Sequence, residues 1–281
     1  MGKAELGQEK KRRVCFPMLH AFDFDIQYAL TDRYSHVREI DMHSHRECEI
    51  YVNLSGDVSF MVEDRLYPLT RGDVILARPG EFHHCVYRSD APHAMFWILF
   101  DGTQNRELLS LFYGDERVNF ISPTEDGKRE LIELCFRLHG GDLSVADRYI
   151  SFFRLLDVLS RSVENRSQRR DTVPRTLGDA LLYIDQHITE SICVSDMAEA
   201  LHYSESTVER TFKKHLGMTP IEFIRKKKMT LAAWMLRNGE TVLNTGVQLG
   251  YADNSHFIKL FREAYGVTPL QYQKSHRFGS N

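Results

Sequence analysis

The chain begins as short alternating apolar segments and later changes to longer runs in which apolar side chains recur every three or four residues. Between Arg38 and Phe100 the segments are Glu49–Leu54, Val58–Val62, Arg65–Leu69, Asp73–Leu76, His84–Tyr87 and Ala94–Phe100. Turn residues separate them, at Gly56-Asp57, Glu63-Asp64, Arg71-Gly72-Asp73 and Pro79-Gly80. Closely spaced strands of this kind predict a sandwich or barrel. From Lys128 to Arg161 the period changes. Leu131, Leu134, Cys135 and Leu138 form one stripe, and Tyr149, Phe152, Phe153, Leu156 and Leu159 form another, with Gly140-Gly141-Asp142 as the break between two predicted helices.

The stretch from Leu177 to Arg277 holds one small unit written twice, at an offset of 49 residues. Val208 falls on Phe257, Arg210 on Lys259, Phe212 on Phe261, Gly217 on Gly266 and Thr219-Pro220 on Thr268-Pro269. A repeat of this length marks a duplicated supersecondary unit. Ser204 and Asp253 are N-cap residues, and Val208/Phe212 and Phe257/Phe261, each four apart, define an inward helix face. The opposite faces carry Ser206, Glu209, Arg210 and Lys213 in the first copy, and Asn254, Ser255, Ile258, Lys259 and Arg262 in the second. Gly217 and Gly266 suit helix stops, and Thr219-Pro220-x-Glu222 and Thr268-Pro269-x-Gln271 read as capping boxes opening a further helix. A shorter helical run precedes each cap, Val194–Leu201 and Val242–Leu249, so each copy has the helix-turn-helix layout.

These residues resemble the tandem DNA-binding domain of AraC/XylS transcription regulators. The resemblance rests on Ser204…Val208-x-Arg210-x-Phe212-Lys213, Gly217-x-Thr219-Pro220, the stretch from Phe223 through Lys228-Met229 and Ala232 to Leu236, Gly250-Tyr251-x-Asp253-x-Ser255-x-Phe257-x-Lys259-x-Phe261-Arg262 and Gly266-x-Thr268-Pro269. Two positions depart from the family pattern: Thr245-Gly246 where Ile-Ala is usual, and Lys228 where an Arg is usual. Glycine inside a helix costs about 1 kcal/mol relative to alanine, which predicts a weaker second unit. The resemblance implies that Ser206, Glu209 and Arg210, and Asn254, Ser255, Ile258 and Lys259, face bases in successive major grooves. Lys213 and Arg262 are placed beside them as further DNA contacts. Arg210 suits guanine, Asn254 adenine and Glu209 cytosine, or any of them phosphate.

Within the strands, His43-x-His45-x-x-x-Glu49, a gap of six and Gly56, followed by Gly72…Pro79-Gly80-x-x-His83, resemble the two motifs of cupins. In cupin enzymes the matching positions bind a divalent metal, and imidazole with carboxylate suits Fe, Mn, Zn or Ni. Cupin-like sensors of the regulator family often keep the histidines without a need for metal. His43, His45, Glu49 and His83 are therefore expected to be ligand-binding residues in a polar network lining a pocket or barrel mouth, with no cofactor and with metal as the minor alternative. Trp97 either fills the barrel or stacks on a ligand; in sugar-responsive members an aromatic near this place contacts the sugar.

At 281 residues the length suggests about two domains, with 42% hydrophobic and 27% charged residues as in a globular chain. The net charge of −3 excludes a bulk polycation, so DNA affinity must come from local placement of charge. Five scattered cysteines with no C-x-x-C pair suit reduced thiols in the cytoplasm, and redox sensing through Cys48 or Cys85 ranks last. No apolar run nears the ~20 residues of a membrane span. The expected architecture is α+β: an N-terminal arm over 1–35, partly disordered, a cupin-like β-barrel sensor over 36–127, a helical dimerisation hairpin over 128–161, a linker over 162–176, and an all-α domain with two helix-turn-helix units over 177–277. The expected function is a cytoplasmic, sequence-specific transcription regulator, not an enzyme, that binds double-stranded DNA as a homodimer. Its effector is a small molecule such as a sugar, and as an activator it would engage RNA polymerase. The alternative is a metal-dependent cupin enzyme with an accessory helical domain.

Overall fold

The computed structural model describes residues 24–31, 42–114, 118–164 and 174–276. Its strands are β1 (Phe24–Thr31), β2 (Cys48–Ser55), β3 (Val58–Val62), β4 (Arg65–Pro68), β5 (Val74–Ala77), β6 (His83–Tyr87), β7 (His93–Phe100) and β8 (Phe120–Ile121). They form two antiparallel sheets, in the orders β1-β7-β2-β5-β8 and β4-β3-β6. Tyr51, Ile75 and Met95 of the larger sheet pack with Val58, Phe60, Val62 and Tyr67 of the smaller one. On the other face of the larger sheet Ile50, Val52, Leu76, Phe96 and Ile98 meet α2 (Glu125–His139) and α3 (Val145–Glu164). Covering on both faces explains why β2 is buried at every residue before Ser55 although its sequence alternates only weakly.

The two helical stripes therefore cover the barrel. Leu131, Cys135 and Leu138 of α2 and Phe152, Leu156 and Leu159 of α3 are buried in that shared core, while Phe136, Val145 and Ile150 stay exposed. The arm expected over 1–35 differs in part. Residues 1–23 and 32–41 lie outside the described residues, but Phe24–Thr31 is an edge strand paired with β7, with Phe24 and Ile26 packed on the core. One covered face on an edge strand demands few apolar positions, so its pattern is faint in the sequence. Of the linker expected over 162–176, residues 165–173 lie outside the described residues. Its flanks are helical, because α3 runs on to Glu164 and α4 (Arg175–Gln186) starts at Arg175.

A short helix, α1 (Ser110–Tyr113), follows β7. The remaining helices are α5 (Val194–Ala200), α6 (Glu205–Leu216), α7 (Pro220–Arg237), α8 (Val242–Gln248), α9 (Asn254–Tyr265) and α10 (Pro269–His276). Their boundaries follow local chemistry. The Ser204 hydroxyl accepts from Thr207 N at 3.2 Å, and the Asp253 carboxylate accepts from Ser255 N at 2.8 Å. Thr219 and Glu222 close a reciprocal capping box, as do Thr268 and Gln271. Gly217 and Gly266 end α6 and α9 at φ of 72° and 73°, a left-handed conformation that suits glycine.

The helical part is not a separate body. Met42, Met61, Leu66 and Val86 of the barrel share one buried cluster with Leu177, Leu181, Ile184, Met197, Phe212 and Ile224. Around this apolar contact α7 is held by polar ones. The Thr230 hydroxyl lies 2.9 Å from the carbonyls of both Met42 and Lys226, Arg237 Nη2 donates to Ser44 O at 2.8 Å, and Arg46 Nη2 donates to Asn238 Oδ1 at 3.0 Å. Lys227 Nζ is 2.8 Å from Asp185 and 3.8 Å from Glu63 of the barrel.

Candidate functional site: paired recognition helices and a barrel cavity

Each helix-turn-helix unit turns one face inward and leaves the other in solvent. Val208 and Phe212 of α6, and Phe257 and Phe261 of α9, are fully buried. Ser206, Glu209, Arg210 and Lys213 are all exposed on α6. On α9, Ser255, Lys259 and Arg262 are exposed, and Asn254 and Ile258 are half-buried at the edge of the same face. Among the described residues no carboxylate forms an ion pair with Arg210, Lys213, Lys259 or Arg262. These cations are therefore not committed to surface ion pairs, and arginine and lysine so placed can meet phosphates or base edges. The 18 residues of α7 span about 27 Å between the two units.

The two departures from the family pattern have physical counterparts. Lys228 Nζ donates to Glu190 O at 2.5 Å and Leu249 O at 2.6 Å, and sits 5.3 Å from the Tyr251 ring centre. It thereby ties the loop before α5 to the end of α8, and burial lowers its pKa. At Gly246 a Cβ would lie 2.8 Å from Asn254 Oδ1 and 3.2 Å from Phe257 Cδ1, so the glycine lets α8 close on α9.

In the barrel, His43, His45, Glu49, Tyr51, His84 and Trp97 line a cavity of about 110 Å³ completed by Phe60, Cys85, Tyr87, Met95 and Leu99. His83 lies behind this lining, buried, with its ring centre 4.4 Å from that of His43. Glu49 Oε2 receives both His45 Nε2 and His83 Nε2 at 2.9 Å. The far nitrogens lie against carbonyls, His45 Nδ1 at 3.0 Å from Glu47 O and His83 Nδ1 at 2.9 Å from Glu81 O. Burial alone would raise the Glu49 pKa, but the facing His83 and the bonds from both imidazoles hold it well below the usual carboxylate range. Burial likewise opposes charge on His83, and the Glu49 carboxylate outweighs it, raising that pKa. One donor atom from each of His43, His45, Glu49 and His83 falls within 4.8 Å of the others, so three imidazoles and a carboxylate suit a divalent transition metal by number, type and convergence.

The structure brings all the sequence-derived barrel residues together, with Trp97 half-buried on the cavity wall and His83 behind it. Sequence reading missed Tyr51 and His84. Tyr51 was legible by parity, since it shares a strand face with Glu49 two residues away and pairs directly with Trp97. Burial pushes the Cys48 thiol up to about 11 and the Cys85 thiol up to about 12, which leaves little reactive thiolate for redox sensing.

Residues 27–146 match the family model of an AraC-like ligand binding domain, and residues 197–275 match that of a helix-turn-helix domain. The transcriptional activator RhaR of Mannheimia succiniciproducens is 23% identical over 249 residues, covering 83% of this chain and 86% of that protein. The uncharacterized transcriptional regulator YisR of Bacillus subtilis is 23% identical over 249 residues, covering 80% and 84%. The solved structure of ToxT from Vibrio cholerae aligns with 91% of this chain and 99% of its own at 16% identity, with a TM-score of 0.37. The named relatives are transcription regulators rather than enzymes, and the cupin-enzyme alternative falls away with them. With a ligand-binding barrel at one end and two helix-turn-helix units at the other, each matched to its own family model, the chain belongs to the AraC/XylS family of transcription regulators.

Proposed function

We propose that this regulator reads its operator through α6 and α9 and is switched by a small molecule in the barrel cavity. The observation that carries the reading is the pair of capped helices whose apolar faces are fully buried while their uncommitted cations point outward. Ser206, Glu209, Arg210 and Lys213 serve one major groove, and Asn254, Ser255, Ile258, Lys259 and Arg262 the next, about 34 Å along the duplex. The cavity's indole beside histidine and carboxylate groups favours a polyhydroxylated effector such as a sugar, with the ring against Trp97 and hydroxyls toward His43, His45 and Glu49. RhaR is named as an activator, and we read this chain as an activator that engages RNA polymerase. Exposed Phe136, Val145 and Ile150 on the α2–α3 hairpin are the surface assigned to a second copy in a homodimer. No helix among the described residues is long and apolar enough to cross a membrane, consistent with action on cytoplasmic DNA.

Two substitutions test the two halves of this reading. Arg210→Ala should weaken binding to a duplex selected from a random library by the intact chain by about 1–3 kcal/mol, with an unchanged circular dichroism spectrum. An unaltered affinity in a folded variant would remove Arg210 from the DNA contact. Trp97→Ala should keep basal DNA binding and lose the thermal shift that the effector produces, with a panel of sugars as the first probes. A normal shift in that variant would return Trp97 to the barrel core.

A further inference from the structure

Each of the two sheets ends in two edge strands, and three of these edges are protected. β8 has only two residues. β4 carries Arg65 and Pro68, a charge and a residue with no amide hydrogen to donate, and β6 is bridged at His83 by His43. β1 has none of these features. It is eight residues long, pairs with β7 from Phe24↔Phe100 to Thr31↔His93 without a register shift, and contains no lysine, arginine or proline. Among the described residues no strand lies on its other side. An edge of this length presents a row of unpaired N–H and C=O groups to any strand of matching pattern.

The side chains of β1 decide which strand fits. Phe24 and Ile26 pack on the core shared with α2 and α3, the Phe24 ring stacked 4.7 Å from that of Phe152. Tyr28, on the same face, lies 5.2 Å from the Phe96 ring and 6.0 Å from the Phe136 ring, and it stays 38% exposed, with Leu30 at 59%. Ala29, on the other face, packs toward the smaller sheet. An added strand that keeps both faces continuous sets even positions against even and odd against odd. A second β1 running antiparallel does this about a twofold axis at Tyr28. Tyr28 then meets its own copy, Leu30 meets Ile26, and Gln27 meets Ala29. Asp25, the single charge of the strand, falls opposite Thr31, so no like charges face each other. The apolar side chains that one copy leaves in water are covered by those of the other, and the covered strip continues into Phe136 of α2.

We propose that β1 pairs with β1 of a second copy of this chain, antiparallel and in register about Tyr28, so that the two five-stranded sheets become one. The pairing rests on the homodimer reading and adds a backbone interface to the hairpin surface of Phe136, Val145 and Ile150. Such an interface is isologous, each copy giving the same strand, and its ladder of hydrogen bonds fixes the orientation of the two copies, which an apolar patch alone leaves free.

The test uses the full-length chain carrying Cys15→Ser and Cys193→Ser, which keeps only the thiols of Cys48, Cys85 and Cys135. Tyr28→Cys in this background should give a disulfide-linked dimer under mild oxidation, because directly opposite residues of antiparallel strands have Cα atoms about 4.5 or 5.5 Å apart, within reach of a disulfide. Gln27→Cys should give none. Leu30→Lys, at an exposed position, sets an ammonium against Ile26 of the other copy and should raise the dimer dissociation constant in sedimentation by more than ~10-fold, while Leu30→Val should leave it nearly unchanged. Hydrogen exchange over residues 24–31 should slow as the protein concentration rises through that constant. A dimer that Leu30→Lys leaves intact and Phe136→Asp dissociates overturns the edge pairing while the hairpin reading stands, and a chain that stays monomeric up to roughly 100 µM overturns both. Slow exchange over residues 24–31 at every concentration means that another segment of the same chain lies on this edge, and it too overturns the pairing. A disulfide through Gln27→Cys but not through Tyr28→Cys overturns the register.

Discussion

Phe257→Ala is expected to abolish specific DNA binding by unfolding the second helix-turn-helix unit while the barrel stays folded. Phe257 is fully buried, its ring centre lies 5.6 Å from that of Tyr251 and 6.0 Å from that of Phe261, and it shares a cluster with Leu249, Leu236 and Tyr272. Removing a buried phenylalanine costs about 3–5 kcal/mol in lost transfer energy and residual cavity. That is a large share of the few kcal/mol that hold a unit of three short helices, whose other buried side chains in this cluster are Leu249, Leu260, Phe261 and Tyr272. Hydrogen exchange should accelerate across residues 242–276 and hardly change over residues 48–100, and retention of the selected DNA should fall to the non-specific level. Uniform acceleration over the whole chain would mean that sensor and reader open as one cooperative body, which the shared cluster of Met42, Met61, Leu66 and Val86 with the first unit would then have to explain.

The second large effect is expected in the barrel. Asp73→Ala should destabilise the ligand-binding domain by about 3 kcal/mol, the lower part of the range for breaking a buried pair by removing one partner. Asp73 is fully buried; its Oδ2 accepts from Thr70 N and Thr70 Oγ1 at 2.7 Å, and its Oδ1 accepts from Ser122 Oγ at 2.7 Å and faces Lys128 Nζ at 3.2 Å. These bonds fasten the turn before β5 to the chain after β8 and to α2. Lys128 also lies 3.6 Å from the exposed Glu125, so the stranded ammonium keeps one partner, and the loss stays below the upper end of the range. Thermal unfolding monitored through the barrel should show it, and Asp73→Asn should recover part of it, because the amide oxygen can still accept from Thr70 while its NH2 can donate to the Ser122 hydroxyl. A midpoint shift below about 1 °C, against the several degrees expected for an effect of this size, would mean that the network adds little.

Local chemistry was enough to read the DNA-binding half. N-caps, capping boxes and left-handed glycines act within four or five residues, so Ser204, Thr219, Asp253, Thr268, Gly217 and Gly266 announced their helix ends in the sequence, and the four-residue spacing of Val208/Phe212 and Phe257/Phe261 announced the inward faces. The exposed set on α6 followed by elimination. In the barrel the same was true of the strands and of His43, His45, Glu49 and His83, whose fixed spacing across two motifs survives any uncertainty about the ladder. What remained open there was pairing: that Trp97 sits opposite Tyr51 depends on which strand lies beside β2. An edge strand with one covered face, such as Phe24–Thr31, also leaves too weak a pattern to be read alone.

The order and type of β2 to β7, α2, α3 and α5 to α10, the ends of the repeated helices, the duplicated reader and the donor set of the barrel were all legible in the chain, because each is encoded by contacts or spacings between near neighbours. Long-range packing settled that the reader docks on the sensor, that Leu131 to Leu159 goes largely to covering a sheet, that Lys228 bridges the carbonyls of Glu190 and Leu249, and that Met42, Ser44 and Arg46 grip α7 while His45 reaches Glu49. Those contacts join residues up to 193 positions apart, as for Arg237 and Ser44. A threonine hydroxyl or a backbone carbonyl carries no mark of its distant partner, since many surfaces could satisfy it, and the choice among them is made by the packing of whole elements.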